Sequence, residues 1–405
     1  MDILIVGAGI GGLTAAIRLV QRGHRVRVLE QAKVLGEVGA GIQMSANAVK
    51  VLKAVGVEPA LEATGVKPKG FEFRRFNTGE MLHRIPLGDA HREKHGAAYY
   101  QMHRRDLHDA LVQALRAVAP DAVRLDAAVR QVHEDEEAAE VELANGERLR
   151  ADLVVGADGV KSVVRQHVLG ADKPVFTGQV VWRVLVPVER IPQALRTDVV
   201  STIWCGPHNH GVMYYLRCGQ LINFVGCVAR PWEEESWTSA RPWSELDQDY
   251  AGWHPMVRAV VEAADRDQCY RWALNSRVPA MVWSTSRVTM LGDAVHSTLP
   301  YMAQGAAMAI EDAGVLARAL ELDLPLAQQL RVYEQHRAPR TRRVVEESTE
   351  MGQLYQIDNA DAMRQAFHDR NIAKSRNEWL YPYDPLTVPL QPGAWDEQPG
   401  KQRSC

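Results

Sequence analysis

The sequence predicts an α/β fold: a parallel sheet flanked by helices, an inserted antiparallel β-sheet, and C-terminal helices. Three observations predict it. Ile3 to Val6 is a short apolar run ending in Gly-Ala-Gly-Ile-Gly-Gly, followed by a helical pattern and a second strand. From about Pro174 to Trp272 strand-like segments dominate and tryptophans gather. From about Leu326 to Ala366 the pattern is helical again. With 405 residues, 46% hydrophobic and 24% charged, the chain can build one large or two modest domains.

In chain order, Leu13 to Arg22 reads as a helix and Arg25 to Leu29 as a strand, completing a β-turn-α-β unit. A helix follows over Ala46 to Val55. Phe71 to Leu82 reads as a strand pair turning at Asn77-Thr78-Gly79. Asp106 to Val118 is helical. Val129 to His133, Glu140 to Leu143 and Arg148 to Leu149 are strands, with Asn145-Gly146 as a hairpin turn. Leu153 to Val155 is a buried strand ending in Gly-Ala-Asp-Gly. Val180 to Pro187, Val199 to Trp204, Gly211 to Leu216 and Leu221 to Val228 form the antiparallel layer. Val288 to Leu291 returns to a buried strand, and a helix runs from Ala306 to Leu320. The tail from Pro382 holds five prolines and is expected to wrap a surface or a partner. The expected units are residues 1–70, 101–173 and 273–325 as one discontinuous domain, 71–100 and 174–272 as a sheet domain, and 326–405 as a helical region with a tail.

Net charge is -3, so no basic field recruits nucleic acid or an anionic membrane. No apolar run approaches the roughly 20 residues needed to span a bilayer. Met1-Asp2 leads straight into a strand pattern, so no secretory leader and a cytoplasmic location are expected. Five dispersed cysteines without a CxxC pair fit reduced thiols better than a disulfide framework. No metal is expected, because clustered ligands are missing. His91 and His95 stand at i and i+4, but in a charged, Gly-flanked stretch that reads as a solvated loop.

Gly7-x-Gly9-x-x-Gly12 follows a strand and opens a helix, and Glu30 ends the second strand. In this register Gly7 permits the tight turn, Gly9 lets backbone approach a pyrophosphate, and Gly12 lets helix and strand pack closely. The helix N-terminus offers N–H groups and partial positive charge to phosphates. Glu30 can accept hydrogen bonds from a ribose diol and would repel a 2'-phosphate. The motif alone does not separate FAD from NAD.

Three further segments narrow the reading. Gly156-Ala157-Asp158-Gly159 follows a strand. His103-Arg104-Arg105-Asp106-Leu107 opens a helix. Leu291-Gly292-Asp293-Ala294-Val295-His296 continues through Pro300-Tyr301-Met302-Ala303-Gln304-Gly305-Ala306 to Glu311-Asp312-Ala313. With the leading glycine motif they resemble the single-component FAD-dependent aromatic hydroxylases, over about residues 1–365. Gly36-Glu37-Val38-Gly39-Ala40-Gly41-Ile42, and more weakly Leu380-Tyr381-x-Tyr383-x-x-Leu386, resemble the salicylate, 3-hydroxybenzoate and 6-hydroxynicotinate hydroxylase branch.

The resemblance implies a Rossmann-like FAD domain of the glutathione-reductase type with an inserted substrate sheet. It implies non-covalent FAD, held by Gly7, Gly9, Gly11, Gly12, Glu30, Gln31, Arg104, Val129, Asp158, Asp293, Gly305 and Ala306. Asp293 would meet the ribityl chain, and the Gly305-Ala306 helix start would stabilise negative charge on the reduced ring. Arg104 would contact the ribityl or phosphate side; Asp158 would serve FAD and a transient NADH or NADPH. Read alone, Asp158 and Asp293 are equally turn formers or helix caps, and Arg104 a surface residue. His296 reads as structural.

The implied reaction is hydroxylation of a small hydroxylated aromatic or pyridine carboxylate by NAD(P)H and O2 through a flavin hydroperoxide. The cofactor carries the hard chemistry, and the protein must ionise the phenol, hold the ring and exclude water. His210, in Asn209-His210-Gly211-Val212-Met213-Tyr214-Tyr215, is the implied base, with Tyr214 orienting the substrate. His208 and His210 can also both be exposed residues of a polar turn. Tyr301, Met302 and Gln43 are expected to line the pocket. Gln43 stands where the 6-hydroxynicotinate enzymes carry a histidine, which counts against that substrate. Other readings are a monooxygenase for a bulkier polycyclic metabolite and a non-catalytic protein on the FAD fold. The assembly stays open, with a homodimer as the candidate.

Overall fold

A computed structural model describes residues 1–36, 40–232, 240–370 and 372–390. At its centre lies a five-stranded sheet in the order Val288–Met290, Leu153–Gly156, Asp2–Val6, Arg25–Leu29, Val123–Arg124. Every neighbouring pair is parallel. The apolar runs read from the sequence explain this: Ile3, Leu4, Ile5, Val154 and Val155 are all essentially inaccessible, as parallel strands covered on both faces require. The helix Ile10–Val20 packs on the helix Gly305–Ala319, and Gly11 permits the approach. A Cβ there would stand 2.8 Å from Leu291 Cδ1 and 3.0 Å from Ala309 Cβ.

The inserted sheet has seven strands, in the order Tyr270–Ser276, Val175–Pro187, Leu221–Ala229, Asn209–Leu216, Ser201–Cys205, Gly70–Arg75, Met81–Pro86. It is antiparallel except at one seam, where Ser201–Cys205 runs parallel to Gly70–Arg75. The early hairpin adds to the edge of a layer built later in the chain, so the purely antiparallel expectation fails there. This sheet has its own core around Trp182, Trp204, Phe224, Tyr250 and Trp253. A small sheet, Val129–Glu134, Ala139–Leu143 and Arg148–Ala151, carries its turn at Gly146, whose φ is +83°. Gly41–Met44 and Tyr100–His103, which the sequence did not announce, pair between the two large sheets.

The C-terminal helices are Leu326–Tyr355 and Ala360–Arg370, where the sequence pattern read as one region. The first described residues of the tail lie against the chain itself: Lys50 Nζ donates to Pro382 O, and Arg318 to Pro385 O and Val388 O. His91 and His95 correct an expectation. They sit on a short helix, Asp89–His95, and both are buried, because their rings pack on Tyr381 and His95 Nε2 meets Asn377 Oδ1 at 2.9 Å. Among the described residues no helix is long and apolar enough to cross a membrane.

Candidate active site

The glycine loop is shaped by contact. Gly7 has φ +107°, and a Cβ on it would lie 2.4 Å from Ala157 O; one on Gly12 would lie 2.1 Å from Gly7 O. Over Gly9 there is nothing within 4 Å. The helix beginning at Ile10 has no side-chain cap, so its first N–H groups face that open space. Glu30 Oε2 accepts from Ala8 N and Oε1 from Ala32 N, both at 2.9 Å, which fixes the carboxylate at the loop's end. Gln31 follows it on the surface, and Val129 is buried where the strand Val129–Glu134 begins. His108 was missed: its Nε2 meets Ala8 O at 2.8 Å and pins the loop from behind. The available signal was its place one helical turn after Arg104. A backbone cradle with open space above Gly9 and a fixed acid at the second strand's end fits the dinucleotide part of FAD.

One cavity of about 760 Å³ lies between the helix starts at Asp293 and Gly305 and the inserted sheet; the residues of the glycine loop are not among those lining it. Arg104, Asp293, Tyr301, Met302, Gly305, Ala306, Gln43, His210 and Tyr214 all line it. Asp293 is exposed to the cavity at the start of the short helix Asp293–His296. Gly305–Ala319 opens on the cavity with no side-chain cap, so its N–H groups are available to an anionic ring edge. Asp158 is not among the residues lining the cavity. Its carboxylate accepts from Ser162 Oγ at 2.5 Å and Val163 N at 2.7 Å, so it caps the helix Val163–Leu169, and Val160, Lys161 and Ser162 line the cavity instead.

Behind the helix starts is a closed set of buried charges. Asp312 Oδ2 accepts from Gly292 N at 3.0 Å and from His296 Nε2 at 2.5 Å, while Oδ1 accepts from Arg337 Nε at 2.7 Å. Glu311 meets Arg337 and Arg340 at 2.7 and 2.8 Å and Asn47 Nδ2 at 2.5 Å. His296 is thus a partner of Asp312, as its structural reading expected. Asn47 and Ser45 tie to Gln304, which precedes the Gly305 helix.

The opposite wall consists of side chains. His210 lies within the strand Asn209–Leu216, 1% exposed, between the rings of Tyr301 and Tyr355 at 5.1 and 5.3 Å. Its Nδ1 faces Gln356 Nε2 at 3.3 Å, and Tyr250 OH donates to its carbonyl. Burial pushes its imidazole down to about 3, so it is neutral at pH 7 with a lone pair available. His208 is exposed, with φ +58°, and the turn reading holds for it alone. Tyr214 is buried, and burial raises its phenol well above the ordinary range. Gln43 reaches that phenol and accepts from Tyr99 OH at 3.0 Å. A Cβ on Gly41 would stand 2.4 Å from Tyr214 OH, so glycine is needed there. Tyr301 donates to Gln179 and packs on Gly352, where a Cβ would be 2.4 Å from its ring. Sequence reasoning missed Phe71, Arg183, Trp272, Tyr355 and Arg376, which also line the cavity; Arg183 stacks on Trp272 with its guanidinium 4.4 Å from the ring centre.

Residues 1–348 match the family described as an FAD binding domain. The chain is 36% identical to the 3-amino-4-hydroxybenzoate 2-monooxygenase PtmB3 of Streptomyces platensis, over 95% of this chain and 97% of that protein. It is 34% identical to a 6-hydroxynicotinate 3-monooxygenase of Bordetella bronchiseptica, over 96% and 97%. Among solved structures, Klebsiella pneumoniae HpxO complexed with FAD and uric acid superposes with a TM-score of 0.81 at 28% identity, covering 91% of this chain and 92% of that one. A match over most of the chain, agreeing with the glycine cradle and with the cavity at the Gly305 helix start, means that this protein belongs to the FAD-binding family of flavoprotein aromatic monooxygenases.

Proposed function

We propose that the protein hydroxylates a small, monocyclic hydroxylated aromatic or pyridine carboxylate, using NAD(P)H and O2. The observation that carries this reading is one cavity with an uncapped helix start at Gly305 on one wall and a buried, neutral His210 on the other. The relatives, named for 3-amino-4-hydroxybenzoate and 6-hydroxynicotinate, support the substrate class. FAD supplies the oxygen-activating redox chemistry when bound. Glu30 and the glycine cradle would bind its nucleotide part, Asp293 its ribityl chain, and Arg104 its ribityl or phosphate side. His210 takes the phenolic proton; a phenolate beside it favours the imidazolium that burial alone disfavours. Tyr214, set by Gln43, orients the ring, and Tyr301 and Met302 bound its far side. Asp158 acts only by holding the turn at residues 158–163.

NADH serves at least as well as NADPH in this reading, which rests on likeness to the salicylate-type branch. The cytoplasm, where the free thiols of Cys205, Cys218, Cys227 and Cys269 stay reduced, is the proposed location, and a homodimer the proposed assembly. The test is a screen of hydroxylated aromatic acids for those that accelerate NADH oxidation with matched hydroxylated product. NADH oxidation without product for every acid would reject the reading.

A further inference from the structure

We propose that Arg376 receives the substrate's carboxylate and makes the enzyme selective for aromatic acids; the inference rests on the hydroxylase reading above. Arg376 opens the last helical turn, Arg376–Leu380, far along the chain from the motifs that mark the site. It is 3% exposed and lines the same cavity as His210 and Tyr214. Its Nε and Nη2 are buried and have no hydrogen-bond partner among the described residues.

Other equally buried arginines differ. Arg337 and Arg340 reach Glu311 at 2.7 and 2.8 Å, Arg165 reaches Asp172 at 2.9 Å, and Arg271 reaches Glu245 at 2.6 Å. Arg376 makes no ion pair among the described residues. It is surrounded by the phenols of Tyr381, Tyr355 and Tyr99 and by the face of Phe71, 5.5 Å from the guanidinium carbon. A buried cation without an anion is costly, and the cost is removed when an anion arrives. A planar guanidinium with free N–H groups is matched to a carboxylate, which takes two of them side by side.

Tyr355 places this cation relative to the chemistry. Its ring lies 5.3 Å from His210, while its phenol faces Arg376. A substrate ring lying along Tyr355 can therefore present its hydroxyl to His210 and its carboxylate to Arg376. The two ends of a hydroxylated aromatic acid are then read by side chains from different parts of the fold.

The test uses the FAD-loaded protein. 3-Hydroxybenzoate, salicylate and 6-hydroxynicotinate, and the carboxamide of each, are titrated against the flavin absorbance of the parent, Arg376→Met and Arg376→Lys. The parent is expected to bind at least one acid roughly 10- to 100-fold more tightly than its amide. Arg376→Met is expected to abolish that preference while binding the amide as the parent does, and Arg376→Lys to keep part of it. Without ligand, Arg376→Met is expected to melt at or above the parent, because it removes an uncompensated cation. An acid preference that survives in Arg376→Met, or a melting temperature well below the parent's, would overturn the assignment while leaving the hydroxylase reading intact. A parent that binds none of the acids would overturn both.

Discussion

The wall proposed to meet the cofactor is mostly backbone; the wall proposed to meet the substrate ring is made of side chains. On the first, Gly7, Gly9 and Gly12 keep Cβ atoms away, and two helix starts offer N–H groups. Asp293 and Arg104 face the cavity from it, and one layer back Glu311, Asp312, Arg337 and Arg340 neutralise one another out of water. On the second wall, His210, Tyr214, Tyr355 and Arg376 stand buried and Tyr301 half-buried directly at the cavity, and apart from the arginine they are uncharged. A backbone wall binds one constant group and admits few substitutions. A side-chain wall can be changed one residue at a time, so it is where related enzymes can differ in substrate.

The comparison can be broken at the backbone first. Gly12→Ala puts a methyl 2.1 Å from Gly7 O, so the purified variant should carry no FAD, read as flavin absorbance per protein. Asp293→Ala should lose most of its flavin yet stay folded, since its carboxylate faces the cavity rather than the core. Equal flavin in that variant and the parent would remove Asp293 from the cofactor site. One layer back, Arg340→Met leaves Glu311 with a lost partner and should cost about 3–5 kcal/mol in denaturant unfolding. On the side-chain wall effects should be graded. Tyr214→Phe should keep flavin and fold but lower product per NADH by roughly two- to fivefold, the worth of one hydrogen bond.

Acid should sharpen the contrast from the side-chain wall. His210 takes up a proton near its ordinary 6.5 in the unfolded chain but only near 3 when folded. The unfolded state therefore binds more protons between those values, and stability falls as pH drops through that window. The melting temperature of His210→Ala should fall less over that window than the parent's.

The two walls also differ in how far the sequence revealed them. Gly7, Gly9, Gly12, Glu30 and Gly305 are contiguous with the strands and helices they serve, so local spacing announces them. His210 and Tyr214 were found through likeness of a single segment. Arg376 and Tyr355 come from helices whose spacing reflects packing, and nothing local says that a buried arginine has no acid beside it. For Asp158 the sequence left two readings open, because a loop acid looks the same whether it faces a ligand or caps a helix; its bonds to Ser162 and Val163 N support the second. His91 and His95 looked solvated because their charged neighbours hid the rings that face Tyr381.

The proposed function turns on His210 as the group that draws the phenolic proton. The most direct measurement is the hydroxylation rate of parent and His210→Ala against pH, at equal FAD content, with the best acid from the screen. A loss of roughly 10²–10⁴-fold is expected at neutral pH, partly recovered as rising pH lets solvent ionise the phenol. Near-parental hydroxylation by His210→Ala at neutral pH would contradict it.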